Sequence, residues 1–287
     1  MKRQLVIIDP QNSFCKVVPA DQQQIDHNGE LCVPGAWQDM ERLADLVLKN
    51  GDIFENIWVT LDSHHQMHVS HPFWYKDSNG KMPSPFTLLR EENGEIIGYV
   101  FENGAKKDLG VYTCATPSIQ KRVVEYLKAL EATNRYPHCI WPAHCLIGTP
   151  GHNVVEPLMN SLLEWEIRNR AAVDFVTKGS SYWVEHFSAV KAEVPDPYDV
   201  STQVDPKFIQ ALTDVDELVI SGEAGSHCVA NTIRDIANEA GNDDFVKKCV
   251  LLIDATSPVP GFESYQSSFI DEMTNRGMRI AKCSDYI

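Results

Sequence analysis

The sequence contains no apolar run long enough to span a membrane, and no stretch of it has the pattern of a secretory signal. Its first apolar run, Leu5–Ile8, is interrupted at once by Asp9. The eight cysteines include no C-x-x-C pair and have no regular spacing, so they indicate neither a disulfide framework nor a zinc ribbon. These absences predict a cytoplasmic protein with reduced thiols.

Positive charge is also scarce. The 287 residues include 25 Lys and Arg against 40 Asp and Glu, which gives a formal net charge of −15. Such a surface repels phosphate backbones and anionic lipids, so we expect neither nucleic acid nor membrane as a partner. A small neutral molecule is not excluded. Hydrophobic residues make up 43% of the chain, which is ordinary for a globular domain.

Short apolar runs alternate with helix-period segments along the chain. The predicted strands are Leu5–Ile8, Ile57–Leu61, Ala172–Val176, Leu218–Ser221, Val250–Ile253 and Met278–Ala281. The predicted helices are Ala36–Lys49, Ser118–Ala132, Val154–Arg168, Val229–Ala240 and Glu263–Arg276. This alternation predicts an α/β fold, with a doubly wound, mostly parallel six-stranded sheet and helices on both faces. Ligands of such sheets bind at the carboxyl ends of the strands.

Residues 76 to about 137 interrupt this alternation. Two segments, Phe86–Leu89 and Ile96–Phe101, flank Glu91-Glu-Asn-Gly-Glu95, which is a hairpin signal. A predicted helix follows the hairpin. We therefore expect one domain over residues 1–287, with a hairpin and a helix inserted at about 76–137.

Three side chains beside predicted strands are candidates for nucleophilic catalysis. Cys228 opens a predicted helix, where backbone N–H groups stabilise a thiolate or an oxyanion. Asp9 ends the first strand, where burial raises a carboxyl pKa and suits it to proton transfer. Lys178 follows a strand and is placed to hold a carboxylate or to stabilise developing negative charge. The alternatives are a buried structural cysteine, a capping aspartate and a solvated lysine.

A histidine-rich segment follows the second strand. Asp62 and His64 are two residues apart, so their side chains can point the same way. His144 follows a proline that fixes the local chain. One carboxylate with two or three imidazoles suits zinc, iron or manganese, so we predict a metal site. The isolated histidines are expected at the surface; they are His27, His138, His152 and His186.

Taken together, these segments resemble the nicotinamidase branch of the isochorismatase-like cysteine hydrolases. Family members carry D-x-Q-N-x-F, D-x-H, H-x-S, W-P-x-H-C-x-x-G-T, a lysine before glycine, and A-x-x-H-C-V. The matching segments occur in the same order and are Ile8-Asp-Pro-Gln-Asn-Ser-Phe14, Asp62-Ser-His64, His68-Val-Ser70, Trp141–Thr149, Lys178-Gly179 and Ala224–Val229.

The resemblance implies a role for each matched residue. It implies a catalytic triad of Asp9, Lys178 and Cys228, and an oxyanion hole made by the backbone N–H groups of Ala224 and Cys228 after a cis peptide at Glu223–Ala224. It also implies that Phe14 and Trp141 sandwich the substrate ring. The metal would be held by Asp62, His64 and His144, with His68, His71 or water as alternatives for the fourth ligand. In the family this metal binds the pyridine nitrogen of nicotinamide.

The implied reaction converts nicotinamide to nicotinate and ammonia through a thioester on Cys228, in NAD salvage. Two features depart from the family pattern. Ser226 stands where many relatives carry Asp, and the insertion at 76–137 is large, so that it either covers the pocket or builds a contact in a homo-oligomer. Two other functions stay open: an amidohydrolase of the same superfamily that acts on a ureido or carbamoyl compound, and a non-catalytic metal or thiol sensor.

Overall fold

The computed structural model of the protein describes residues 1–15 and 29–286. The strands in these ranges are, in chain order, β1 (Arg3–Ile8), β2 (Asn56–Asp62), β3 (Tyr75–Lys76), β4 (Leu88–Glu92), β5 (Glu95–Glu102), β6 (Ala105–Cys114), β7 (His138–Cys139), β8 (Asp174–Lys178), β9 (Glu217–Gly222), β10 (Cys249–Leu252) and β11 (Arg279–Ala281). The α-helices are α1 (Asn12–Cys15), α2 (Ala36–Asn50), α3 (Gln120–Ala132), α4 (Glu156–Asn169), α5 (Pro206–Thr213), α6 (Cys228–Ala240) and α7 (Glu263–Asn275).

The six predicted strands form one parallel sheet in the order β11-β10-β9-β1-β2-β8. The strand order reverses beside β1, because β2 lies on one side of it and β9 on the other. Such a reversal opens a crevice at the carboxyl ends of the two neighbouring strands. The predicted fold class is therefore confirmed, and the crevice lies beside Asp9, the residue that follows β1.

Helices cover both faces of this sheet. Leu5 and Ile7 of β1 belong to the hydrophobic core that includes α2 and α4. Val6 and Ile8 point to the opposite face and pack in a second core with α5, α6 and α7. Because successive residues of a strand face opposite sides, a strand that is buried on both sides reads as an unbroken apolar run.

The insertion forms a second, antiparallel sheet in the order β3-β6-β5-β4-β7. The predicted hairpin is confirmed, since β4 and β5 pair in antiparallel register with Glu92 opposite Glu95. Besides the expected hairpin and helix, the insertion contains the long strand β6, which the sequence analysis missed. β6 lies between β5 and α3 along the chain. The helix α3 packs on this sheet through Val123, Leu127 and Leu130. The division of the chain into one domain with an insertion stays a prediction.

The predicted helices are also confirmed, with ends that differ by at most two residues. Among the described residues, the sequence analysis did not predict the short helices α1 and α5. Among the described residues, no helix is long and apolar enough to cross a bilayer. All eight cysteines are free thiols, as expected for a reduced protein.

Candidate active site

Four neighbouring strands bring the candidate residues to one edge of the main sheet. Asp9 directly follows β1, whereas Asp62 and Lys178 are the last residues of β2 and β8. Cys228 lies beyond the end of β9 and is the first residue of α6. Because β9, β1, β2 and β8 are adjacent and parallel, their carboxyl ends place these four side chains together. All four are buried.

The ammonium group of Lys178 is at the centre of this cluster. Its Nζ lies 2.9 Å from Asp9 Oδ2 and 3.0 Å from Asp62 Oδ1. It also donates to the sulfur of Cys228 at 3.6 Å and to the backbone oxygen of His186 at 3.0 Å. Burial alone would lower the pKa of Lys178, but the carboxylates of Asp62 and Asp9 raise it well above its ordinary value. Lys178 is therefore a permanent cation.

Asp9 is held in a defined orientation. Its Oδ1 accepts a hydrogen bond from the Thr60 hydroxyl at 2.6 Å, and its backbone adopts a positive φ of 44°. Its Oδ2 is buried and is paired with the ammonium group of Lys178 at 2.9 Å. Burial raises the pKa of Asp9 even though Lys178 acts to lower it. A carboxyl with a raised pKa is suited to accept and return a proton.

Cys228 is a neutral thiol in the resting protein. Burial raises the pKa of Cys228 well above its ordinary value, although Lys178 acts to lower it. The position of Cys228 at the N-terminus of α6 is therefore not enough to make a thiolate. A base must remove the proton when the sulfur attacks, and Asp9 is the carboxylate beside it.

The turn before Cys228 contains the implied cis peptide, at Glu223–Ala224. The turn is bonded to neighbouring segments, since Glu223 N donates to Ile8 O at 2.7 Å and Gly225 N donates to Ser257 O at 2.9 Å. In the described part of the chain, the amides of Ala224 and Cys228 donate to neither a backbone nor a side-chain acceptor. Both N–H groups are thus available to an oxyanion.

A carboxylate and two imidazoles meet next to Lys178. The ligand atoms of Asp62, His64 and His144 all lie within 4.8 Å of one another, and the three residues are buried. Asp62 Oδ2 is 2.9 Å from His64 Nε2 and 3.4 Å from His144 Nε2. Although burial acts to raise the pKa of Asp62, His64 and Lys178 hold it well below its ordinary value. The carboxylate is therefore ionised.

Backbone contacts place these ligands. The side-chain amide of Gln11 accepts from Asp62 N at 2.7 Å and donates to Asp62 O at 2.8 Å. His64 N donates to Cys145 O at 3.0 Å, and His64 pairs with Leu146 in an isolated parallel bridge. The loop that carries His144 is thereby aligned with the end of β2.

Two more buried histidines complete the cluster. The ring centre of His68 is 4.4 Å from that of His64, and the ring centre of His71 is 5.7 Å from that of His144. Burial lowers the pKa of His71 to about 3 and that of His68 well below its ordinary value, so both rings are neutral. Their Nε2 atoms are buried without a hydrogen-bond partner among the described residues. Neutral imidazoles with unsatisfied nitrogens beside an ionised carboxylate fit a divalent metal. His65 is exposed.

The two predicted aromatic residues lie beside different parts of this region. Phe14, in α1, packs edge-on against His144 with ring centres 5.4 Å apart. Trp141 packs against His227, the residue before the nucleophile, at 5.5 Å. Phe14 therefore borders the metal ligands, and Trp141 borders the nucleophile turn.

Sequence reasoning missed several aromatic neighbours of the nucleophile. His227 lies 5.1 Å from Phe187 and 4.9 Å from Tyr136 between ring centres. The Tyr136 hydroxyl donates to Ser226 O at 2.8 Å. Phe187 follows His186, whose oxygen holds Lys178, but no motif marks either residue.

Ser226, which departs from the family pattern, is fully bonded. Its hydroxyl contacts His227 Nδ1 at 2.9 Å and accepts from Val259 N at 3.0 Å. It thereby holds the turn before Cys228 without a carboxylate.

The expectation that isolated histidines lie at the surface was wrong for His138 and His186. Both are buried, and each ring has a backbone hydrogen-bond partner. His138 Nε2 bonds with Val69 O, and Gly179 N donates to His186 Nδ1. His152 is half-buried and contacts the hydroxyl of Ser63. His27 lies outside the described residues.

No family model matches the chain, and no curated protein matches it. Solved structures do match. The yeast nicotinamidase bound to the inhibitor nicotinaldehyde has a TM-score of 0.60 at 19% identity, over 98% of this chain and 99% of the yeast chain. The Acinetobacter baumanii nicotinamidase/pyrazinamidase has a TM-score of 0.58 at 18% identity, over 100% of this chain and 98% of its own.

A third solved structure is the pyrazinamidase of Pyrococcus horikoshii in complex with zinc. It has a TM-score of 0.53 at 17% identity, over 98% of this chain and 99% of its own. At these identities, the likenesses show that the protein has the fold of these structures along essentially its whole length.

Proposed function

We propose that the protein is a metal-dependent amidohydrolase that converts nicotinamide to nicotinate and ammonia through a thioester on Cys228, in NAD salvage. The observation that carries the proposal is the position of Lys178, which contacts Asp9, Cys228 and Asp62 together. A nucleophile and a base thus adjoin a cluster suited to a metal. The family motifs, and the fold shared with a yeast nicotinamidase solved with nicotinaldehyde, support a pyridine carboxamide as the substrate.

The first half-reaction begins at the neutral thiol of Cys228. Its proton passes to Asp9 as the sulfur attacks the amide carbon and a C–S bond forms. The carbonyl oxygen takes the negative charge and faces the N–H groups of Ala224 and Cys228. Asp9 then gives the proton to the amide nitrogen, the C–N bond breaks, and ammonia leaves. The product on the enzyme is a thioester.

In the second half-reaction, the proton passes from water through Asp9 to Cys228. Asp9 takes a proton from water as the water oxygen attacks the thioester carbon. The C–S bond breaks, and the sulfur leaves with its electron pair beside the ammonium group of Lys178. Asp9 returns the proton to Cys228, and the product is nicotinic acid, which loses its own proton to water and leaves as nicotinate. Lys178 stays protonated throughout and stabilises the negative charge that is present in turn on Asp9 and Cys228.

The metal would be held by Asp62, His64 and His144, with His68, His71 or water in the fourth position. When bound, it supplies a Lewis-acidic site for the pyridine nitrogen of the substrate. Zinc, iron and manganese all suit this mixed set of ligands. Phe14 and Trp141 would stack on the ring and hold its carboxamide towards Cys228.

The direct test is ammonia release from nicotinamide by purified, reduced protein loaded with each of the three metals. Nicotinate should appear in a one-to-one ratio with ammonia. Cys228→Ala should abolish both products while keeping the metal content of the wild type. The proposal would be contradicted if the protein released no ammonia from nicotinamide with any of the three metals.

The same assay addresses the two other functions. An enzyme for ureido or carbamoyl compounds would release ammonia from those substrates and leave nicotinamide intact. A sensor would show reactivity of the Cys228 thiol without hydrolysis in either form. The clustering of His64 and His144 with Asp62 favours nicotinamide, because relatives that act on ureido compounds commonly lack that pair.

A further inference from the structure

The four buried histidines around Asp62 differ in the partner of their Nδ1 atom. In His64 this partner is Gly179 O at 3.1 Å, and in His144 it is Pro142 O at 2.8 Å. A carbonyl oxygen only accepts hydrogen bonds, so Nδ1 must carry a proton in both rings. Nε2, which is the atom that faces Asp62 in both residues, is then the nitrogen that can offer a lone pair to a metal.

His71 is held in the same way. Its Nδ1 faces Gln66 O at 3.2 Å, so this ring also carries its proton on Nδ1 and its lone pair on Nε2. The Nε2 atom is buried and has no hydrogen-bond partner in the described part of the chain. A buried polar atom without a partner costs about 1–3 kcal/mol. A bond from Nε2 to a metal would remove that cost.

His68 is held in the opposite way. Ser70 N donates to His68 Nδ1 at 3.2 Å, and the Ser70 hydroxyl lies 2.7 Å from the same nitrogen. A backbone N–H can only donate, so Nδ1 must accept and the ring proton is on Nε2. A neutral imidazole with a protonated Nε2 has no lone pair there to offer a metal.

The spacing of the His64, His71 and His144 rings suits a shared metal ion. The ring centres of His64, His71 and His144 form a nearly regular triangle, with sides of 4.9, 5.5 and 5.7 Å. Imidazoles bonded at about 2 Å to one tetrahedral ion have ring centres roughly 5 Å apart. His71 is not one of the three residues whose ligand atoms lie within 4.8 Å of one another, so its side chain would move to complete the coordination.

We infer that His71, and not His68, is the fourth protein ligand of the metal, so that the site is one carboxylate and three imidazoles. This inference rests on the metal-dependent site of the proposed function. It reverses the choice that the H-x-S motif suggests, because that motif marks His68. The Nε2–H of His68 is left as a buried hydrogen-bond donor at the edge of the site.

Three asparagine variants test the assignment. An asparagine at position 71 can still donate to Gln66 O but has no group at the place of Nε2. Loss of an outer partner of a metal ligand costs about 10–100-fold in metal affinity, so His71→Asn, which removes a direct ligand, should weaken zinc binding by at least about tenfold. Competition with a chromogenic chelator measures this. His68→Asn, which can still accept from Ser70 N, should stay within about threefold of wild type.

Two controls separate the ligand from the fold. His65→Asn changes an exposed histidine of the same segment and should leave zinc affinity unchanged. X-ray absorption of the wild-type zinc protein should count three imidazoles, a result that does not depend on any variant folding. Loss of affinity in His68→Asn but not in His71→Asn would overturn the inference. Equal loss in both variants, loss in neither, or a count of two or four imidazoles would also overturn it.

These measurements need no substrate, so the two proposals can fail separately. If wild-type protein binds zinc through three imidazoles but releases no ammonia from nicotinamide, the proposed function fails and the ligand assignment stands. If nicotinamide is hydrolysed and His71→Asn keeps full zinc affinity, the ligand assignment fails and the proposed function stands.

Discussion

Glu223, the residue before the cis peptide, is a carboxyl group with no exposed surface. Its Oε2 accepts from Ser257 N at 3.1 Å. Burial raises the pKa of Glu223 well above its ordinary value, and the neighbouring carboxylate of Asp39 adds to the shift. In the folded protein, Glu223 is therefore a neutral acid that supports the turn before the nucleophile.

A buried neutral acid makes stability depend on pH. In the unfolded chain, Glu223 loses its proton above a pH of about 4.5, whereas in the folded protein it keeps that proton. The free energy of unfolding should therefore fall as pH rises above the ordinary pKa, towards the raised one. Glu223→Gln, which is neutral at every pH, should remove this contribution. The stability of this variant relative to wild type should therefore be higher at pH 8 than at pH 4. Urea unfolding at several pH values measures the difference.

Glu217 offers a control with the opposite sign. Burial acts to raise the pKa of Glu217, but its bonds with Arg279 and Arg3 lower it overall. Its contribution to stability is therefore present above the ordinary pKa and is lost as pH falls below it. Glu217→Gln should be destabilised more at pH 8 than at pH 4. If the two variants changed with pH in the same direction, the burial argument for Glu223 would fail.

Trp141 is the residue on which the ring-binding part of the proposal depends. Its indole packs between the nucleophile turn and Phe262, with ring centres 5.5 Å from His227 and 5.8 Å from Phe262. Loss of stacking in Trp141→Ala should weaken nicotinamide binding by about 1–2 kcal/mol, which corresponds to a KM raised about 5–30-fold. Steady-state kinetics measure this. Trp37→Ala, on α2, should leave KM unchanged, and an unchanged KM in Trp141→Ala would contradict the stacking role.

Sequence reasoning reached the reactive residues because each follows an apolar strand. Asp9, Asp62 and Lys178 end such runs, and parallel strands bring those ends together. It could not predict that Lys178 bonds to the oxygen of His186, because that contact depends on the path of a loop. The ring protons of His68 and His71 were equally hidden, because they are set by which backbone atom meets each Nδ1.

At the scale of elements, the junction of β1 and β9 determines where the nucleophile lies. Gly222 pairs with Ile8 at the ends of these strands and has a φ of 112°. A Cβ at this position would lie 2.1 Å from Ile8 O and 2.4 Å from Ile8 N. Only glycine therefore fits, and the turn to Cys228 starts from this close approach of two backbones.

Gly222→Ala should consequently destabilise the protein by about 2–5 kcal/mol, from the unfavourable φ and the overlap with backbone atoms. Chemical denaturation measures the loss. Gly241→Ala is a matched control, because Gly241 also has a positive φ, of 73°, but nothing lies within 4 Å of its Cβ position. The control should lose only about 1–2 kcal/mol. Equal losses would show that the contact with Ile8 is unimportant.

Elements with weak patterns were the ones that sequence reasoning missed. Most residues of β6 are exposed, so its sequence lacks the alternation that marks a half-buried strand. The helix α5 has only eight residues, of which Phe208 and Leu212 are buried, and a pattern that short does not separate a helix from a loop. The central strands β1, β9 and β10 were predictable because both of their faces are buried, whereas the edge strands β8 and β11 are largely exposed and have weaker patterns.

At the scale of the whole molecule, the insertion is fastened to the helix that carries the nucleophile. Arg135, at the end of the insertion, donates to Asn231 Oδ1 at 2.7 Å and lies 3.0 Å from Asp235 Oδ1, both on α6. It is also 3.5 Å from Glu193 Oε2. Burial raises the pKa of Glu193 to about 7 although Arg135 acts to lower it. One cation therefore balances two buried carboxyls.

Arg135→Met should destabilise the protein by about 3–5 kcal/mol, because buried carboxylates would lose their counter-charge. The loss should be larger at pH 8 than at pH 5, where protonation of Glu193 relieves it. Denaturation at both pH values is the measurement. Lys107→Met removes an exposed ion pair with Glu102 in the same insertion and should cost less than about 1 kcal/mol. If Arg135→Met also lost less than about 1 kcal/mol of stability, Arg135 would not fasten the insertion to α6.

The site joins segments that are far apart along the chain. Lys178 reaches Asp62 across 116 residues and Cys228 across 50, and Thr60 reaches Asp9 across 51. Contacts of this kind form only after long loops have closed, which makes them slow steps in folding. During refolding, the Cys228 thiol should therefore stay reactive until late. The moment at which it stops reacting with a thiol reagent would mark the arrival of the native state.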